Sequence, residues 1–304
     1  MPTSTSEEMR GGDGGETIES VKARERSGPV LRVAGPNAPS IVTNVLIKKT
    51  LPPRGVVSSN PKLVQRLLDT AQQEKMLTNV TVHTDNGWGV IIYTAEHLNK
   101  PLFIASVPMG AAGSGVAFFE MFAAGAHAII RYGSNDRDVG MENLRDIIVV
   151  DKADNVIGMR ADACSLEVDG SSRAIGASLK LVAALETGAK QIGRPVKPMV
   201  CHNVEDYHAF NFPQFFYQPT TASITARIAD LEAADGDRMH CWDMETGALF
   251  LRAQQFGRHA ATVLQSLIKR PGMSPYEGEH GKISLEMERE FYKLVLDALD
   301  GVDC

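Results

Sequence analysis

Phe103–Asp136, FIASVPMGAAGSGVAFFEMFAAGAHAIIRYGSND, is the stretch whose reading decides the fold. FIASV is a short apolar run stopped by Pro108, the pattern of a buried strand. MGAAGSG reads as a glycine-rich turn that permits close approach. GVAFFEMFAAG then has helical length and closes on Gly125. AHAIIRYGSND is a second buried strand, but it carries Arg131 and ends in Gly133, Ser134, Asn135 and Asp136. A guanidinium inside an apolar strand needs an anion or a carboxylate, because burying its charge alone is very costly. Open α/β sheets bind ligands at the carboxyl ends of their strands. Arg131 and Ser134 are therefore placed where a small anionic ligand is expected.

Working outward, the same alternation continues. Residues 1–28 are rich in Gly, Ser, Thr and Glu and read as a disordered tail, which leaves 29–304 as the folded unit. Asn60 is a helix N-cap candidate, with Pro61 at the first helical position. Leu63, Val64, Leu67, Leu68 and Ala71 then make one apolar face. Asn86-Gly87 and Asn99-Lys100-Pro101 read as turns between consecutive strands. Downstream, DIIVVDKADNVIG and HAATVLQSLI are strand-like, while ASLKLVAALETGAKQIG, TASITARIADLEAAD and ISLEMEREFYKLVLDALDG are helical. The expectation is an α/β fold, one domain, with a central mixed sheet flanked by helices.

Composition removes several function classes. At 43% hydrophobic and 22% charged residues, with a formal net charge of −6, the chain has no electrostatic case for nucleic acid. No apolar run reaches membrane-helix length, and the N-terminus has no apolar signal core, so a cytoplasmic protein is expected. Cys164, Cys201, Cys241 and Cys304 form no framework and fit reduced thiols.

Three segments together carry a family likeness. The first is Met109–Ser114, the helix with Glu120, and Ile130-Arg131-Tyr132-Gly133-Ser134. The second is Trp242-Asp243-Met244-Glu245-Thr246-Gly247-Ala248, and the third is Val57–Leu63. From about Arg54 to the C-terminus the chain resembles the nucleoside phosphorylase-I family, most closely its uridine phosphorylase branch. The resemblance implies reversible phosphorolysis of uridine to uracil and ribose 1-phosphate. It implies no cofactor, phosphate as co-substrate, and a homo-oligomer, dimer or hexamer, with sites completed across an interface. Arg131 and Glu245 would be catalytic; Arg131, Ser134 and Ser59 would bind phosphate; Ser134, Met244 and Glu245 would bind ribose. A carboxylate only accepts, which suits a vicinal diol. Leu267-Ile268 after the last strand replaces the Ser-Asp of purine-cleaving relatives, and Arg270 follows. With Tyr207, Asn211 and Gln214 these form the expected base side. Asp85 matches a carboxylate that holds a structural cation at a dimer interface in some relatives.

The departures from the family pattern are as informative. Ser59 and Leu63 stand where its phosphate turn has Gly and Arg. The position of the arginine lent by a neighbouring subunit falls near His83, Thr84, Asp85 or Trp88, none of which is Arg, and no N-terminal histidine matches the one that reaches ribose. Lys62, Arg66 and His83 are the candidates to substitute for them. Two further readings therefore stay open: a phosphate-independent nucleosidase and a non-catalytic nucleoside-binding relative. Blander readings stand beside these. Arg131 could serve a structural ion pair, Glu245 the first turn of a helix, and the aromatics of 207–217 a core or an oligomer surface. Cys201-His202 and His240-Cys241 lack zinc-site spacing, and GAAGSG is not the dinucleotide G-x-G-x-x-G.

Overall fold

The computed structural model describes residues 50–85, 89–135, 147–155, 174–194, 196–203, 239–266, 268–269, 279–280 and 285–302, with Ala222, Ala226, Ala229 and Ala233. Ten strands form one mixed sheet: β1 (Arg54–Ser58), β2 (Thr78–Asp85), β3 (Ile91–His97), β4 (Lys100–Ser106), β5 (Ala128–Asn135), β6 (Ile147–Asn155), β7 (Ala174–Gly176), β8 (Val196–Asn203), β9 (His240–Asp243) and β10 (His259–Ser266). The short strands β11 (Ile268–Lys269) and β12 (Glu279–His280) pair separately. The helices are α1 (Pro61–Gln73), α2 (Ala111–Ala123), α3 (Leu179–Gln191), α4 (Thr246–Phe256) and α5 (Leu285–Asp300). The sheet order is β2-β3-β4-β1-β5-β10-β6-β8-β9, with β7 on β6. The α/β class and the helix-flanked mixed sheet agree with the sequence. None of the described helices is long and apolar enough to cross a membrane.

Local signals explain the elements. Asn60 accepts from the Lys62 N–H at 3.0 Å and Pro61 opens α1, so the start predicted from sequence is the start observed. Leu63, Val64, Leu67, Leu68 and Ala71 are all buried against the sheet. Each contributes on the order of 1–3 kcal/mol by leaving water. Helices α1, α3 and α5 cover one face, while α2 and α4 pack together on the other.

Two expectations needed correction. The second turn is Leu98-Asn99, with φ of 50° and 61°, and Lys100 and Pro101 already belong to β4. Two consecutive positive φ values match the twist of the flanking strands. MGAAGSG is likewise no loop. Only Gly110, at φ 88°, turns the chain, and α2 begins at Ala111. A Cβ on Gly113 would lie 2.9 Å from Cβ of Pro108, so this glycine admits the helix against the preceding segment.

The sheet also departs from a flat doubly wound layout. β4, β1, β5 and β10 run parallel, β6 is antiparallel to β10, and β8 and β9 follow β6. β9 stands four places from β5, which at about 4.8 Å per strand would be roughly 19 Å in a flat sheet. Yet the Trp242 N–H donates to Asn135 Oδ1 at 3.1 Å, so this half of the sheet curls until β9 lies against β5.

Candidate functional site

The curl brings a buried charge cluster together. Arg131 sits mid-way along β5, opposite Val57 of β1 and Thr262 of β10. Asp243 ends β9, and Glu245 immediately precedes α4. Arg131 Nη1 lies 2.8 Å from Asp243 Oδ2, and Nη2 donates to Glu245 Oε2. All three side chains are about 3% exposed or less. Burial by itself would lower the Arg131 pKa, but Asp243 and then Glu245 more than reverse this and hold the guanidinium firmly protonated.

Each carboxylate is fixed by its own donors. Glu245 Oε1 accepts from the Gly110 N–H at 2.9 Å, which is the task of the turn before α2. Asp243 Oδ1 accepts from the N–H groups of Glu245 (3.2 Å) and Thr246 (3.1 Å), and Oδ2 accepts from the Thr246 hydroxyl. These donors sit at the start of α4, where the helix dipole favours negative charge. Asn203 Oδ1 completes the helix start by accepting from the Gly247 N–H at 2.9 Å.

Gly133 follows from the same geometry. Residues i and i+2 of a strand share a face, and a Cβ at 133 would stand 3.1 Å from Nη1 and 3.2 Å from Nη2 of Arg131. The guanidinium lies along the strand over this glycine. Among the described residues its Nε and Nη1 make no hydrogen bond. Buried ion pairs add little stability over an apolar replacement, whereas charge clusters of this kind concentrate at functional sites.

The sequence-predicted residues divide into three groups. Arg131 and Glu245 meet directly. Met244, between the two acids in sequence, is half-buried, and Ser59 is half-buried just past the end of β1, two residues beyond the position paired with Arg131. Ser134 is on β5, where strand alternation turns it toward the face of Tyr132 rather than that of Arg131. Tyr207, Asn211, Gln214, Leu267 and Arg270 lie outside the described residues, while Ile268 and Asp85 enter only as strand positions in β11 and β2. Leu63 is core, and Arg66 Nη1 pairs with Glu288 at 3.0 Å.

Asp243 and Gly110 are the contributors that sequence reasoning missed. The signal for Asp243 was available: in Asp-Met-Glu the two acids are two residues apart, so one strand-like face carries both. The Cys-His pairs also acquire a structure. β8 and β9 align Cys201 with Cys241 and His202 with Trp242. His202 Nε2 lies 2.7 Å from His240 Nδ1 on one face, and burial pushes the Cys201 thiol well up on the other. Among the described residues, the group with metal-capable spacing is instead His97, Asp297 and Asp300. No family model matches the chain, and no curated protein matches it.

Proposed function

We propose that this chain cleaves the N-glycosidic bond of uridine by phosphorolysis, giving uracil and ribose 1-phosphate. The observation that carries the reading is the buried contact between Arg131 and Glu245, residues 114 apart in sequence. On this reading the side chain that binds the anion and the side chain that binds the diol stand within one hydrogen bond of each other. Such a reaction passes through a ribosyl cation and needs positioned charge rather than a covalent nucleophile. Arg131 binds the attacking phosphate, and its Nε, without an acceptor among the described residues, supports that role. Glu245 accepts from the ribose hydroxyls, and its carboxylate charge favours the cation developing at the anomeric carbon. The pyrimidine preference rests on the family resemblance through Leu267, Ile268 and Arg270.

Hydrolysis is the second reading, and one observation favours it. Arg131 faces two carboxylates rather than one, which lowers its appeal to phosphate relative to neutral water. The test is uridine absorbance with and without phosphate. Cleavage only with phosphate supports phosphorolysis, and cleavage without it supports a nucleosidase. Uridine binding without cleavage in either buffer removes both enzymatic readings and leaves a nucleoside-binding protein.

A further inference from the structure

Asp243 is a buried charge to which the proposed reaction assigns no task. It is 3% exposed and is fixed by two backbone N–H groups, one hydroxyl and the Arg131 guanidinium. Three of those four partners belong to the start of α4, so a ligand arriving at Arg131 cannot push this carboxylate aside. An anion reaching Arg131 meets a cation already matched by Glu245, with a second, immobile negative charge 2.8 Å from Nη1.

We infer that Asp243 is a specificity-determining residue that holds down the site's affinity for phosphate and sets the balance between phosphate and water as ribosyl acceptor. In either reaction an acceptor oxygen bonds to the anomeric carbon as the carbon–nitrogen bond breaks. The electron pair departs on uracil, which takes the proton given up by the attacking hydrogen phosphate or water. Only the phosphate route brings a second anion beside Asp243, so only that route is penalised by its charge. The inference rests on reading Arg131 as the phosphate ligand.

Asp243→Asn removes the charge and keeps an oxygen that accepts from Glu245 and Thr246, since Asn and Asp side chains make the same turn to the backbone N–H groups two and three residues on. Asp243→Ser is a second uncharged replacement, whose hydroxyl makes the equivalent turn more weakly. The experiment titrates the full chain with inorganic phosphate in a calorimeter, with no nucleoside present. Both variants should bind phosphate at least about tenfold more tightly, since a factor of about ten is what two unit charges about 12 Å apart exert at an effective dielectric of about 20, and Asp243 touches the guanidinium itself. With uridine, phosphate KM should fall while uridine KM stays within about twofold, and the ratio of ribose 1-phosphate to ribose should rise. Unchanged or weaker phosphate binding in folded variants overturns the inference, even if the wild type cleaves uridine. Failure of both variants to fold also overturns it, by making Asp243 a structural anchor. Tighter phosphate binding without any uridine cleavage leaves this inference standing and removes the proposed activity. No phosphate binding by any form removes both.

Discussion

Arg131 lies over Gly133, close enough that a Cβ at 133 would meet both Nη atoms at 3.1–3.2 Å. The pair explains why an arginine two residues before a glycine is legible as one feature: the strand supplies the common face, and the missing side chain supplies the room. Gly133→Ala forces the guanidinium to shift by a few tenths of an ångström, against carboxylates that are themselves anchored. The expected result is a stability loss of about 1–2 kcal/mol with a fall in kcat/KM for uridine of about tenfold or more, measured by denaturant melts and steady-state kinetics. Unchanged kinetics would show that the placement of the guanidinium is not critical.

Removing Arg131 should harm the fold as well as the site. Arg131→Ala leaves Asp243 and Glu245 buried without their cation, which is expected to cost about 3–5 kcal/mol. Adding Asp243→Asn and Glu245→Gln to that variant should recover much of the loss, because neutral amides remove the uncompensated charge. Thermal denaturation of the single and triple variants checks this. No recovery would mean that Arg131 supports the core through its packing rather than its charge.

Gly55 is a packing glycine. A Cβ there would fall 2.0 Å from Phe103 Cζ, inside the ring that crosses it from the neighbouring β4. Gly55→Ala is expected to destabilise by about 3 kcal/mol or more, as overpacking a rigid sheet does, and Phe103→Leu in the same chain should partly restore it. If the single substitution is neutral by urea denaturation, β1 and β4 are less tightly fixed than they stand here.

The second charge cluster predicts a pH dependence. His97 Nδ1 donates to the Met76 carbonyl at 2.8 Å, so Nε2 faces Asp297 Oδ1 at 3.1 Å and Asp300 Oδ2 at 3.4 Å, with Arg54, Lys100 and Lys293 on the far sides of these acids. Burial opposes the imidazolium, but the bonds to Asp297 and Met76 and the charge of Asp300 raise its pKa above the ordinary 6.5. A raised folded value means that the stabilising contribution is complete below about pH 6.5 and disappears as pH climbs through the folded value. The Asp297 pKa is lowered despite its burial, by the same histidine and by Lys293, so its contribution is lost instead as pH falls toward 3.8 and below. Denaturant midpoints from pH 6 to 9 should fall more steeply for the wild type than for His97→Asn. Parallel curves would remove His97 as the cause.

Sequence by itself determined the α/β class and the helix at Asn60-Pro61 with its five-residue apolar face, and it singled out Arg131 and Glu245. These are local or periodic signals: a cap, a repeat of 3.6, a charge inside an apolar run. It misjudged MGAAGSG, because glycine permits both an open turn and a tight helix contact, and only Pro108 across the gap distinguishes them. Tertiary structure alone decided that the two charged residues meet, that Asp243 joins them, and that Cys201 and Cys241 align on neighbouring strands. The physical reason is the curl of the sheet. Strand pairing is set residue by residue, but the accumulated twist that lays β9 against β5, four strands away in the order, is a property of the whole sheet and leaves no mark in any one segment.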